Sequence, residues 1–570
     1  MSPGLLPGTN PAPSSLPALL KLKPSLASLL LATAALAGCA RREAPPAGPA
    51  ILRLSQRNEP ADLDPALADL PDDFFVIRAL SEGLVAPTTA GSGIPAPAAA
   101  ERWEVSPDGL TWTFHLRPDA LWSNGEPVTA ADFVASYQRV LAPGTAAPKA
   151  NLLFVVKNAR AYASGQLTDF AAVGFLAPDP HILLVTLERP TAQFLTYAAS
   201  GTWIPVNPRI VDRFGRRWTL PGNFVGNGPF NLVEWRPSQR IIVRRNPRYH
   251  GAAAVRLDEI QFIHFSDTDA EDRAYRDGQI DATMAVPYTK VETYYRERPA
   301  ELHRAPLAET RYLSFNVQRP PLNDFRVRRA LSLGLDRARI VKDVLRAAQE
   351  PAYRLLPPGL RPAGDMAANL SDNLFSTASA EAHGAVKAAA SLDEARRLLA
   401  AAGFPAGRGF PQLELSGWGA GARPVLEAVQ EMWKRELGIP VSLLVREARA
   451  HVAALRAGQY DIGYINLIPD IADPVPALER FVTAAPDNYP HWSDADYDRD
   501  VAQAEDSANA SRQAAVLRTA ELRLLDQLPL APLYFNAQTW MMRPEVRGWQ
   551  QDALWTRNYL HVYLEAPAHE

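Results

Sequence analysis

The sequence predicts an α/β protein in several lobes, on three observations. From Ile51 onward, stretches with apolar residues at alternate positions, the period of a half-buried strand, take turns with stretches whose apolar residues recur every three to four positions, the period of a helix packed on one face. Roughly 530 residues follow the N-terminal segment, ample for a large core and for more than one domain. The only cysteine is Cys39, so the remainder of the chain rests on packing and not on disulfides.

Residues 1–38 read as a secretory signal. Lys21 and Lys23 precede an apolar run from Leu26 to Leu36, and small residues stand at Leu36-Ala37-Gly38-Cys39. The run is short for a bilayer span, and the stretch before Lys21 is long and proline-rich for such a signal. A cysteine directly after Leu-Ala-Gly resembles the lipobox of bacterial lipoproteins, which implies that Cys39 becomes the lipidated first residue of the mature chain. The other reading is a stray or buried cysteine after an ordinary signal. Residues 39–50, with Pro45, Pro46, Gly48 and Pro49, read as a flexible tether.

Structure begins at the strand pattern Ile51-Leu52-Arg53-Leu54. Thr111 to Arg117 places Trp112, Phe114 and Leu116 on one face and Thr111, Thr113 and His115 on the other, a half-buried strand. Asn124-Gly125 marks a tight turn. Thr129-Ala130-Ala131-Asp132 has capping-box spacing, and Phe133, Val134, Tyr137, Val140 and Leu141 follow at helical spacing until Pro143. Ile182 to Leu187 and Arg240 to Arg244 read as strands. Asn323 or Asp324 caps a helix that buries Val327, Ala330 and Leu331, its arginines forming a solvated face. Ala363 to Ala390 is polar and rich in small residues, a loop with some helix. Ser391-Leu392-Asp393-Glu394 reads as a second capping box, opening a helix that ends at Gly403. Pro424 suits a first helical position; Val425, Leu426, Val429, Met432, Trp433 and Leu437 form its stripe, Gly438 ends it, and Val441 to Val445 is a strand.

The formal net charge is −3, and removing Lys21 and Lys23 with the signal takes it to −5. That balance argues against nucleic-acid binding, which needs a basic face. No later stretch reaches transmembrane length. The chain contains no Gly-x-Ser-x-Gly elbow, no His-Glu-x-x-His and no P-loop. Its histidines are scattered; His115, His181 and His264 read as packed or surface residues rather than metal ligands. Carboxylate pairs such as Asp72-Asp73 and Asp258-Glu259 sit in solvated or capping contexts. The expectation is a binding protein, not an enzyme, with no catalytic residue, no metal and no cofactor.

Several segments carry a resemblance. Asp119 to Phe133 (DALWSNGEPVTAADF), Gly226-Asn227-Gly228-Pro229-Phe230, Arg244 to Tyr249 (RRNPRY), Pro321 to Leu331 (PLNDFRVRRAL) and Thr556-Arg557-Asn558 resemble, in order and spacing, segments of the peptide-binding proteins of ABC importers, solute-binding family 5 of oligopeptide or dipeptide type. The resemblance runs from about Ile51 to the end. It implies a two-lobed periplasmic-binding-protein fold (type II, cluster C) with an extra small domain and a hinged cleft that closes on ligand. It implies lobe I at 51–81, 205–308 and 557–570, the extra domain at 82–204, and lobe II at 309–556.

The resemblance also suggests site residues. Asp470, in Ile468-Pro469-Asp470, matches the family aspartate that receives a peptide α-ammonium; the alternative is a surface turn residue before Asp473-Pro474. Backbone groups at Leu467 and Ile468 are candidates for main-chain pairing with an extended peptide. Trp418 and Trp555 are candidate walls, the core being the competing place for both. Arg423, just before a helix start, suits a peptide carboxylate or is simply a surface arginine. Tyr464 stands where the best-matching type carries an arginine, which puts length preference in doubt.

The expected function is an extracytoplasmic or periplasmic, membrane-anchored lipoprotein that captures short peptides and delivers them to the transmembrane permease subunits of an ABC importer, acting as a monomer. The competing readings are the same fold bound to another solute (a metal chelate, haem, an opine or a cell-wall fragment), a peptide sensor or chaperone without transport, and an extracytoplasmic peptidase.

Overall fold

The structure, a computed structural model, describes residues 48–87, 95–191, 193–360, 384–505, 507 and 510–565. Cys39, the signal and most of the tether lie outside the described residues, as does 363–383 of the expected loop.

Along the chain, β1 (Ile51–Gln56) and α1 (Pro71–Leu80) come first. An inserted domain follows with β2 (Ala100–Val105), β3 (Thr111–Leu116), α2 (Ala130–Leu141), β4 (Phe175–Asp179) and β5 (Ile182–Thr186). The chain returns through β6 (Phe230–Arg236), β7 (Arg240–Arg245) and β8 (Glu259–His264). Strand β9 (Leu302–Phe315) leads into the second lobe. There α3 (Phe325–Leu333), β10 (Glu350–Pro351), α4 (Gly384–Ala401) and β11 (Leu413–Trp418) precede α5 (Arg423–Leu437) and β12 (Val441–Arg446). Helix α6 (Ala448–Arg456), β13 (Ile462–Leu467) and β14 (Leu530–Met541) complete it.

Each body has its own sheet. The first lobe orders four strands β1-β8-β7-β6, with β1 parallel to β8. The inserted domain orders β2-β3-β5-β4, all antiparallel. The second lobe orders six strands β10-β14-β9-β13-β11-β12. The fold is the two-lobed α/β arrangement with an extra small domain.

Local chemistry explains several elements. On β3, Trp112, Phe114 and Leu116 are buried while the intervening residues are half-buried. At the start of α2 the Asp132 carboxylate accepts from the Thr129 N–H at 2.9 Å and hydroxyl at 3.0 Å, and from the Trp122 indole at 3.2 Å, so one carboxylate joins the tryptophan and the cap of the same segment. The Gly226-to-Phe230 turn lies against the end of α1. A Cβ on Gly226 would stand 2.1 Å from the Leu80 carbonyl oxygen, and one on Gly228 2.5 Å from the Ser81 nitrogen. Between them the Asn227 amide bonds to both the N–H and the carbonyl of Glu82, each at 3.0 Å. Glycine is required here by close approach.

Two local expectations are corrected. Ser391 does not open a helix: α4 begins at Gly384, so the Ser-x-x-Glu pattern falls in mid-helix, and Glu394 instead pairs with Arg329 of α3 at 2.9 Å. The arginines of α3 are not all solvated either. Asp324 caps the helix as expected, accepting from the Arg326 N–H at 2.8 Å. Arg328, however, is buried and donates to the carbonyls of Leu322, Gln527 and Leu528. With no carboxylate in direct contact, burial lowers its guanidinium to about 10, and the more distant Asp324 offsets this only partly.

The lobes are joined by β9 and β14, paired antiparallel from Leu302 opposite Met541 to Ser314 opposite Leu530, with a register shift between Pro306 and Thr310. Leu530, Ala531 and Leu533 lie in second-lobe cores, whereas Trp540, Met542 and Val546 lie in the first-lobe core with Leu52, Leu54 and Ile260. Packing thus puts the return crossing inside β14, earlier than residue 557.

Candidate functional site

The site forms where β13 ends. The strand is buried, and its pairing to β9 runs as far as Leu467 opposite Thr310. Pairing on its other side, to β11, spans only Ile462 and Gly463. Beyond Gly463 the two strands part, and residues 464–467 keep a strand partner on one edge only. Pro469 then turns the chain, and Asp473 caps the next short helix by accepting from the Val475 N–H at 2.9 Å.

The loop after β13 faces α1 and the inserted domain across a small cavity that opens to solvent, lined among others by Phe74, Arg78, Lys149, Thr202, Asp470 and Trp555. Ile468 and Pro469 also line it. Both Asp470 oxygens are engaged. Oδ1 pairs with the Lys149 ammonium, from the inserted domain, and Oδ2 accepts from the Arg480 guanidinium at 3.0 Å. Burial alone would raise the Asp470 carboxyl; Lys149 and Arg480 outweigh it and hold the group below its ordinary value. The position expected for a ligand ammonium is therefore filled by a protein ammonium. Trp555 adopts a left-handed backbone, φ 64°, in a turn closed by Asp552, which accepts from the N–H groups of Leu554 at 2.9 Å and Thr556 at 2.8 Å.

A second cluster lies where β9, β11, β13 and β14 meet. At the register shift, Glu309 is fully buried. Its carboxylate lies 2.6 Å from Arg311 Nε and accepts from the amides of Asn466 at 2.9 Å and Asn536 at 2.8 Å. Burial works against the Arg311 charge, and Glu309 more than offsets it, so the guanidinium stays above its ordinary value. Arg311 sits over the rings of Trp418 at 4.6 Å and Tyr464 at 5.6 Å. Tyr464 shares a hydroxyl hydrogen bond with Tyr534, and burial pushes its phenol up to about 12. Trp418 stacks on His451, ring centroids 5.7 Å apart, and the His451 Nε2 bonds to the Tyr464 carbonyl at 3.0 Å.

Of the expected site residues, Asp470, Ile468 and Trp555 come together in one cavity, and Trp418 and Tyr464 in the neighbouring aromatic cluster. The Leu467 side chain points elsewhere, fully buried in a second-lobe core. Arg423 does not line the Asp470 cavity: it is exposed at the start of α5, 3.7 Å from Glu427. Sequence reasoning missed Lys149, Arg480, Glu309 and Arg311. Lys149 stands 321 positions from Asp470 in a turn with no motif, so no spacing signal exists for it.

Further contacts bridge the inserted domain and the second lobe. Arg189 meets Glu505 at 2.5 Å, the Tyr197 hydroxyl donates to Asp473 at 3.3 Å, and Ile471 packs into the inserted domain's core. Residues 95–489 match the bacterial extracellular solute-binding proteins, family 5 middle. The chain belongs to this family. It is a solute-binding protein and not an enzyme. It is 31% identical over 548 residues, 95% of this chain and 98% of the relative, to the probable deoxycholate-binding periplasmic protein YgiS of Escherichia coli. It is 30% identical to the periplasmic oligopeptide-binding protein OppA of the same organism, over 88% of this chain and 90% of that one. The structure of the Escherichia coli murein tripeptide binding protein MppA superposes with a TM-score of 0.83 at 29% identity, covering 91% of this chain and 99% of that one. The unliganded open form of MppA gives 0.67 at 30% identity, covering 92% and 99%.

Proposed function

We propose that this family member is an extracytoplasmic receptor that captures a short, extended peptide-like solute between its lobes and hands it to the transmembrane subunits of an ABC importer. The observation that carries the reading is the half-open edge of β13 beside the Asp470 cavity. An extended ligand there can pair with main chain at 465–468 while its side chains fall against the walls formed by Trp418 and Trp555. The peptide-binding relatives, OppA and MppA, support it. The receptor works as a monomer held to the membrane through lipid on Cys39; a Cys39→Ser protein that stayed with the membrane fraction would remove that part of the proposal.

Native mass spectrometry of the protein purified from cells without refolding tests the reading. A ladder of adducts at short-peptide masses is expected, and one sharp non-peptide adduct would overturn it. The second reading is the same cleft bound to a non-peptide amphipathic solute. It is favoured by the apolar wall that Phe74, Leu152, Ile468 and Trp555 give the cavity and by the similarity to YgiS over nearly the whole chain.

A further inference from the structure

We infer that Lys149 is a built-in substitute for the ligand ammonium, so that the cleft selects ligands whose end at Asp470 is acidic and carries no free amine. The inference rests on the reading that the ligand lies in the inter-lobe cleft beside Asp470.

Three independent features carry it. First, each Asp470 oxygen already has a cationic partner: Lys149 holds one and Arg480 the other. A ligand ammonium would have to displace Lys149 and leave a nearly buried protein ammonium without its partner, a large desolvation cost. Second, charge around the cavity is already positive. Of the side chains that line it, Lys149 and Arg78 are cationic and Asp470 alone is anionic, with Asp552 acting on Arg78 from outside the lining. Arg78 itself donates to the Ala199 carbonyl at 3.0 Å. A second ammonium adds to this excess in a low-dielectric site, whereas a carboxylate cancels it. Third, Ser200, Thr202 and Trp555 line the same cavity, and the Ser200 and Thr202 hydroxyls and the Trp555 indole N–H have no hydrogen-bond partner in the protein. An indole N–H only donates. It suits a carboxylate or carbonyl oxygen and has nothing for an ammonium, whereas the two hydroxyls can serve either, so Trp555 is the group that discriminates.

The mechanism follows from where the residues sit. Lys149 belongs to the inserted domain and Asp470 to the second lobe, so their pair forms as the cleft shuts. Lys149 then brings the positive end, and an acidic ligand group completes the arrangement beside it.

The test uses a random tripeptide library prepared in three forms, with free, N-acetylated and N-succinylated amino ends, and measures retention by native mass spectrometry. The wild-type protein should retain the succinylated pool at least tenfold better than the free pool. Lys149→Met should raise retention of the free pool at least tenfold and lower that of the succinylated pool, while Lys149→Arg should keep the wild-type preference and show that the charge, not the fold, is at issue. A wild-type protein that prefers free amino ends overturns the inference and leaves the peptide reading intact. A Lys149→Met protein with unchanged preference also overturns it. If wild type and both variants retain none of the three pools, the peptide reading falls and the inference with it.

Discussion

Replacing Glu309 by Gln should loosen the junction between the lobes. Glu309 is fully buried and is the common partner of Arg311, Asn466 and Asn536, on strands β9, β13 and β14. Removing one member of a buried ion pair costs about 3–5 kcal/mol because the other charge is left without compensation. Gln keeps one oxygen to accept from an asparagine amide but presents an NH₂ group in place of the other, so what survives of the two charge-assisted bonds is one neutral bond of about 0.5–1.5 kcal/mol. A net loss of about 4 kcal/mol is expected. With an unfolding entropy of ~2.1 cal/mol/K per residue, some 500 residues melting together give about 1 kcal/mol/K, so the thermal midpoint falls by about 4 °C. The double variant Glu309→Gln with Arg311→Met removes the stranded charge and should recover about 2 kcal/mol of that loss. Calorimetry of the wild type, both single variants and the double at pH 7 measures all of this. A shift below about 1 °C for Glu309→Gln, or a double variant equal to the sum of the singles, would refute a coupled buried pair.

Burial lowers the His451 imidazole from 6.5 to about 4, with the bond to the Tyr464 carbonyl opposing and Arg446 adding to the effect. The unfolded chain therefore takes up this proton first as pH falls, and the stability that His451 contributes is complete above pH 6.5 and lost on the way down to about 4. The loss is about 3 kcal/mol, at ~1.4 kcal/mol per unit. His451→Gln keeps an N–H for the Tyr464 carbonyl without titrating, so the stability difference between the two proteins should change by that amount between neutral pH and pH 4; parallel curves would rule it out. Arg423→Ala should leave ligand affinity within twofold, since Arg423 is exposed and faces Glu427; a tenfold loss in a binding titration would restore Arg423 as a partner of the ligand.

What the sequence made legible was local. The Thr129–Asp132 cap, the face of β3 and the Asp324 cap each depend on residues a few positions apart, and alternation of such elements is enough to read the fold class. Local reading failed where a distant partner or a longer run of propensity decides. The alanine-rich stretch 385–390 carries α4 upstream of Ser391, because alanine extends a helix at least cost. Arg328 is buried because carbonyls about 200 positions away receive it. The aspartate at 470 could be found from its resemblance to a family position, but the charge that meets it could not: Lys149 comes from another domain, and only the fold brings the two together.

Two contacts spanning the cleft, Lys149 with Asp470 and Arg189 with Glu505, tie the second lobe to the inserted domain. Opening of the cleft therefore begins as a rehydration event. Oppositely charged groups that are largely shielded from solvent must be pulled apart and each given its own water before the crossing strands can swing, and salt in the medium screens such pairs weakly. On the proposed receptor reading, the dwell of the shut state is set by how readily water enters that seam, and anything that wedges the inserted domain away from the second lobe hastens opening without touching the ligand.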